Sequence, residues 1–112
     1  REGPPRRFAG LRTASVLGRR VPVAESLRSR LLGLALLRRE RAGPGLLILR
    51  CRSIHTFGMR FGLDVLFLAA DGKVVALRRA VPPGRLLSCA AAAAVLELPA
   101  PELDSGGPRD NL

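Results

Sequence analysis

The chain has 112 residues, of which 47% are apolar, and its mean hydropathy is +0.17. This length fits one domain with an ordinary apolar core, and this composition excludes a disordered chain. The formal net charge is +10, but Lys73 is the only lysine and the chain has neither Trp nor Tyr. With so little material for base stacking, the composition argues against nucleic acid as a partner despite the charge.

The first third of the chain predicts an arm, two strands and a helix. Residues 1–10 are rich in Gly, Pro and charge, which is typical of a flexible arm. Residues 11–24 predict two short strands around a turn at 18–20, and Pro22 indicates an edge strand. Residues 26–33 predict one short helix, with Ser26 as N-cap and Gly33 as a candidate C-terminal residue. Three leucines at helical spacing give this helix its apolar face: Leu27, Leu31 and Leu34.

The rest of the chain predicts strands and turns. Apolar runs at 46–49, 64–69 and 74–79 read as strands, and Asp71-Gly72 between the last two predicts a hairpin with a type I′ turn. A Pro-Gly segment at 81–85 breaks the sheet, and a final strand follows at 95–98. Residues 101–112 form a turn-rich tail. The prediction is a mainly β domain over 11–100, a small antiparallel sandwich or partly closed barrel.

The unusual residues gather in a predicted loop at 51–64, between two strands. It holds the only His, the only Met and one of the two Cys. Loops on rigid scaffolds tend to carry function. Polar groups beside apolar walls suit a binding pocket, and the candidate binding residues are Ser53, His55, Thr56, Phe57, Met59, Arg60, Asp64 and Glu97. Asp64 and Glu97 are expected to hold the scaffold, with an Arg as the natural partner for Glu97 inside its apolar run.

Two chemical alternatives use the same loop. Cys51, His55 and Met59 are ligand types of a soft-metal site, although such a copper site requires a second His. Cys51 or Ser53 with His55 and Asp64 has the residue types of a hydrolase-like site. Packing and local hydrogen bonds explain these residues more simply. We therefore assign no catalytic residue, metal or cofactor from the sequence.

Several segments resemble the domain of unknown function family 192, an uncharacterised bacterial and archaeal family. The segments that show the resemblance are residues 51–68 (CRSIHTFGMRFGLDVLFL), 71–75 (DGKVV), 28–34 (RSRLLGL) and 94–98 (AVLEL). The resemblance implies a single-domain, mainly β sandwich for which no enzymatic activity is established. The C-terminus departs from the family pattern, since Pro99-Ala100-Pro101 stands where a Gly is usual.

These observations lead to one functional prediction. The chain is expected to be a non-catalytic binding or accessory module that uses loop 51–64 for an unknown ligand or protein partner. A metal or hydrolase-like site and a basic nucleic-acid-binding protein are the alternatives. No run of 18 apolar residues predicts a membrane span. The family variant with His-Thr-Phe-Gly-Met suggests a cytoplasmic location, although a chain that begins with Arg1 leaves a removed leader open. The redox state of Cys51 and Cys89 and the oligomeric state are also left open.

Overall fold

A computed structural model describes residues 8 and 10–101. The chain forms β1 (Thr13–Val16), β2 (Arg19–Ala24), α1 (Leu27–Leu32) and a 3-10 turn (Arg39–Arg41). The remaining strands are β3 (Leu46–Leu49), β4 (Ser53–His55), β5 (Leu63–Leu68), β6 (Val74–Val81), β7 (Leu86–Ser88) and β8 (Ala94–Pro99).

Two sheets form a sandwich-like architecture, as predicted. The main sheet has the order β1-β2-β3-β8-β5-β6, and β4 pairs with β7 in a separate ribbon. Among the described residues β1 and β6 do not pair with each other, so the sheet does not close into a barrel. Every pairing is antiparallel except that of β2 with β3, which α1 and the 3-10 turn connect. A parallel pair needs such a crossover.

The main core lies between the large sheet and the layer that holds the β4–β7 ribbon. Inward residues of β3, β5 and β8 meet Ile54 of β4 and the chain after α1. The fully buried large side chains of this core are Leu34, Leu46, Ile48, Leu63, Val65, Phe67 and Val95. A smaller cluster covers the opposite face of the sheet, where the β1–β2 hairpin packs through Val21 and Val23. Apart from Asp64 and Glu97, the central strands β3, β5 and β8 are therefore apolar on both faces.

The short helix agrees with its sequence signals. The Ser26 hydroxyl accepts a hydrogen bond from the Ser29 N–H at 3.1 Å and caps the helix. At the other end, Gly33 lies at φ 50° and ends the helix, and its N–H donates to the Ser29 carbonyl. α1 therefore presents its C-terminal end to the main core.

The structure corrects three local predictions. Pro22 lies on an inner strand, and the pairing of β2 with β3 begins only at Val23, after the proline. The turn at 71–72 is not type I′, because Asp71 does not have positive φ; Gly72 alone does, at 89°. The Gly72 N–H donates to the Ala69 carbonyl, which gives a three-residue hairpin loop with a left-handed last residue.

The third correction concerns loop 51–64, which is not a continuous loop. β4 forms inside it and pairs with β7, a strand from the segment that follows the Pro-Gly break. The predicted arm 1–10 lies outside the described residues except for Phe8 and Gly10, and Phe8 is buried in the core. The predicted tail 101–112 lies outside them except for Pro101. Within the described part, no helix has the length and apolar character needed to cross a membrane.

Candidate functional site

A small cavity lies where the end of α1, β4 and β8 meet. Its volume is about 50 Å³, which is room for a few water molecules or one small polar group. Four polar residues line it: Arg30, Ser53, His55 and Glu97. Its apolar walls are Leu32, Gly33, Leu34, Ile54 and Met59. Residues distant in sequence thus meet at one partly enclosed space.

Glu97 supplies the carboxyl group of this cavity. It lies in the middle of β8, only 3% exposed, with Leu46 and Val65 beside it on the neighbouring strands. Its Oε1 atom accepts a hydrogen bond from the Leu34 N–H at 3.3 Å. Burial raises the pKa of Glu97 to about 7, while the bond from Leu34 opposes that rise. The carboxyl therefore gains or loses its proton near neutral pH.

A glycine makes room for this carboxyl. A Cβ atom added at Gly33 would lie 2.8 Å from Glu97 Oε1, closer than side-chain carbons approach. The same residue has the positive φ that ends α1. The C-terminal end of the helix is thus shaped to place the Leu34 N–H against Glu97. The sequence expectation of an Arg partner is not met among the described residues, where the donor is this backbone N–H.

Arg30 supplies the cation of the cavity. Its Nη2 atom donates to the Arg50 carbonyl at 2.5 Å, which anchors the side chain across the chain that follows β3. Its Nε atom is buried and has no hydrogen-bond partner among the described residues. A buried N–H without an acceptor costs about 1–3 kcal/mol. Arg30 was not among the predicted site residues; its only sequence signal was its place in the segment RSRLLGL.

His55 presents its imidazole in one tautomer. The Phe57 N–H donates to His55 Nδ1 at 3.1 Å, so in the neutral ring the proton lies on Nε2. The ring also stacks on Phe57, with centroids 5.7 Å apart. Phe57 itself is 53% exposed. The tight turn after β4 therefore fixes the ring orientation of His55 at the cavity.

The remaining predicted residues separate into scaffold and surface. The buried Thr56 hydroxyl donates to the Pro82 carbonyl and accepts from the Arg85 N–H, both at 2.8 Å. Asp64 Oδ1 accepts from the Ala80 N–H at 2.9 Å. Arg60 is exposed and makes no hydrogen bond within the described part of the chain. The cavity thus gathers Ser53, His55, Met59 and Glu97 of the predicted set, but not Thr56, Phe57, Arg60 or Asp64.

The surroundings of Cys51 bear on the two cysteine-based alternatives, a soft-metal site and a hydrolase-like site. The Cys51 thiol donates to the Ser53 carbonyl at 3.1 Å, and both Cys51 and Cys89 are free. Burial, as the main cause, raises the pKa of the Cys51 thiol. A raised pKa keeps the thiol protonated and weakly nucleophilic. Among residues 10–101 no three His, Cys, Asp or Glu side chains lie close enough together to hold a metal ion.

The basic side chains bear on the nucleic-acid alternative. Arg19 and Arg20 are exposed on β2, whereas Arg78 and Arg79 are exposed on β6 at the far edge of the same sheet. A nucleic-acid footprint requires basic groups clustered on one face or stripe. Three strands lie between β2 and β6, so these four residues do not form one basic cluster.

Comparisons with known proteins identify a family and two solved structures with a similar fold. The model of family DUF192, described as an uncharacterised ACR, matches residues 11–107. The chain belongs to the DUF192 family. A crystal structure of a protein of unknown function from Novosphingobium aromaticivorans has a TM-score of 0.59 at 22% identity, covering 79% of this chain and 71% of that one. No curated protein matches the sequence.

A second solved structure is similar to this DUF192 chain. It is provisionally named a transcription regulator, from Sinorhizobium meliloti, with a TM-score of 0.65 at 26% identity. The match covers 80% of this chain and 78% of that one. The fold is thus shared with a protein of unknown function and with one provisionally named a transcription regulator.

Proposed function

We propose that this DUF192 protein is a non-catalytic binding module whose ligand places a small polar group in the cavity beside Arg30 and Glu97. The predicted binding loop contributes Ser53 and His55 to this site, and α1 contributes Arg30.

The meeting of four polar side chains at one small cavity carries this proposal: Arg30, Ser53, His55 and Glu97. Buried polar groups in folded proteins nearly always have a hydrogen-bond partner, and an exception calls for an explanation. The Arg30 Nε atom is such an exception among the described residues. The side chain that carries it lines the cavity together with Glu97, whose carboxyl group burial makes costly to ionise. A polar group bound among these side chains would offset part of the desolvation cost of the groups that line the cavity.

The state of Cys51 supports a binding role over a covalent one. Its thiol is held by a backbone carbonyl and its pKa is raised, so it has no activated nucleophile character.

We propose a cytoplasmic site of action, based on the His-Thr-Phe-Gly-Met variant of the family motif that the sequence carries. Cell fractionation with an antibody to the native protein checks the location; recovery in an exported or membrane fraction would contradict it.

The binding role is tested with three small probes. Sodium acetate, acetamide and methylammonium chloride are titrated into the ¹⁵N-labelled protein at fixed ionic strength. We expect at least one probe to shift the backbone amide signals of Leu34 and Ile54 in a saturable manner. The Arg30→Met variant should weaken that binding at least tenfold, whereas Arg52→Met, at an exposed arginine nearby, should not.

The same variants separate a ligand site from a structural element. Arg30→Met removes a buried unpaired N–H and also the hydrogen bond to the Arg50 carbonyl. Because these two effects on stability oppose each other, its melting temperature should stay close to that of the native protein. Unfolding of Arg30→Met would make Arg30 a structural residue. No saturable shift with any of the three probes would refute the binding role.

A further inference from the structure

Three exposed apolar side chains lie around the turn that follows β4, and together we call them the turn surface: Leu36, Phe57 and Leu86. They are 63%, 53% and 74% exposed. We infer that the turn surface docks a partner protein through an acidic segment that contains apolar side chains. This inference goes beyond the cavity, whose lining includes none of the three residues. Neither proposal depends on the other.

Backbone contacts bring the three side chains together from separate segments. The Leu36 N–H donates to the Gly58 carbonyl at 2.8 Å, and a Cβ built at Gly58 would lie 3.5 Å from Leu36 Cδ2. Phe57 precedes Gly58 and stacks on His55, with ring centroids 5.7 Å apart. His55 is in turn the cross-strand partner of Leu86 in the β4–β7 ribbon. Because directly opposed residues lie on the same face of a ribbon, the three side chains belong to one surface.

The turn surface is held in one shape. The Thr56 N–H donates to the Arg85 carbonyl at 2.8 Å, and the Gly84 N–H donates to the Thr56 carbonyl at 3.1 Å. The Phe57 ring lies along the imidazole of His55, with 24° between the two ring planes. A preorganised surface loses little conformational entropy on binding, which favours a shaped protein partner. Binding to a bilayer instead requires apolar side chains to penetrate about 5–10 Å, and a ring laid along the surface does not project in this way.

The charges around the turn surface favour an acidic partner. Residues 33–39, 54–60 and 83–89, which surround its three members, contain no Asp or Glu. The exposed charged residues in these windows are all arginines: Arg38, Arg60 and Arg85. A second copy of this chain would bring the same basic rim against this one, and each copy carries a formal net charge of +10. Carboxylates of a partner would instead pair with the guanidinium groups around an apolar centre.

The apolar part of the inference is tested by selecting a random peptide library on the immobilised full chain. We expect the enriched peptides to share Asp or Glu residues around apolar ones. Binding of a labelled enriched peptide is then measured by fluorescence anisotropy. Phe57→Ser and Leu86→Ser should each weaken it about tenfold, as the loss of a central apolar contact does. Leu17→Ser is the matched control, because Leu17 is also exposed but lies beside the smaller apolar cluster on the opposite face of the sheet, and it should bind as the native protein does.

The charged part of the inference is tested with two triple variants that remove the same net charge. The first replaces the rim arginines: Arg38→Gln, Arg60→Gln and Arg85→Gln. The second replaces exposed arginines on β2 and β6: Arg20→Gln, Arg78→Gln and Arg79→Gln. The rim variant should weaken binding of the peptide about tenfold at low ionic strength and reduce its salt dependence, whereas the second variant should keep most of the native affinity.

Four results would overturn the inference. They are a library without enriched peptides, enriched peptides without acidic residues, equal affinity of native protein, Phe57→Ser and Leu86→Ser, and equal loss in the two triple variants. Two further measurements identify another occupant. Binding to phosphatidylglycerol vesicles that Leu86→Ser abolishes, without peptide binding, would assign the turn surface to a membrane. A dimer in sedimentation velocity that Leu86→Ser abolishes, again without peptide binding, would assign it to a second copy.

Folding of each variant is checked by the dispersion of its amide spectrum. Because the substituted side chains are exposed, native-like spectra are expected. Phe57→Ser and Leu86→Ser are made separately, so that a folding defect in one still leaves the other as a test. Failure of this inference does not affect the titrations of the cavity with small probes, since these follow the amide signals of Leu34 and Ile54.

Discussion

The buried carboxyl of Glu97 makes the stability of this protein depend on pH in a direction opposite to that of a salt-bridged acid. The group has an ordinary pKa of 4.5 and a folded-state pKa of about 7. Between these two values the folded chain holds a proton that the unfolded chain has released. Stability is therefore full below pH 4.5, falls as pH rises towards 7, and is constant above 7 as far as Glu97 is concerned.

The size of this effect follows from the two pKa values. They differ by about 2.5, from 4.5 to 7, and each pKa unit corresponds to about 1.4 kcal/mol. The free energy of unfolding should thus decrease by about 3 kcal/mol across this range. That is a large fraction of the stability of a small domain.

Urea unfolding at half-unit pH steps from 4.5 to 8 measures the slope. The Glu97→Gln variant keeps a neutral side chain of the same shape, and so its slope should be smaller than that of the native protein by this amount. Glu40→Gln, at an exposed acid, serves as the matched control and should retain the native slope. Coinciding pH profiles for native protein and Glu97→Gln would refute the argument, because they would show that the buried carboxyl does not change its protonation on unfolding.

Three substitutions test the scaffold that positions the cavity, each by chemical unfolding. Gly33→Ala adds a Cβ at 2.8 Å from Glu97 Oε1, and the backbone strain alone should lower the free energy of unfolding by about 1–3 kcal/mol. The loss should be larger than for Gly18→Ala, because Gly18 also has positive φ but has no neighbouring atom within 4 Å of the added Cβ. Thr56→Val removes both hydroxyl hydrogen bonds and should lose about 1–3 kcal/mol, whereas Thr13→Val on the exposed β1 should be neutral. Asp64→Ala removes the acceptor for a backbone N–H and should lose about 1 kcal/mol, with recovery in Asp64→Asn. Equal costs for Gly33→Ala and Gly18→Ala, or a neutral Thr56→Val, would contradict this account of the site.

Local signals in the sequence determined the short-range elements. The apolar run at 46–49 coincides with β3, and Ser26 and Gly33 delimit α1 as a hydroxyl cap and a residue tolerant of positive φ. Because these signals act over a few residues, they are readable without the fold. The motif that carries the family resemblance also contains His55 and Ser53, half of the polar lining of the cavity.

Tertiary structure alone decided how distant segments meet. β4 is only three residues long, and it exists as a strand because β7, some thirty residues later, pairs with it. The parallel pairing of β2 with β3 could not be predicted from the sequence either, because it also joins two segments that are not adjacent in the chain.

Glu97 could be recognised as a carboxylate in need of a partner, but its donor is a backbone N–H, which every residue carries and which no sequence pattern marks. The unpartnered Nε atom of Arg30 is likewise a property of packing. Side-chain types and caps are local, whereas burial and the distance between groups far apart in the chain are set only when the two layers close on each other.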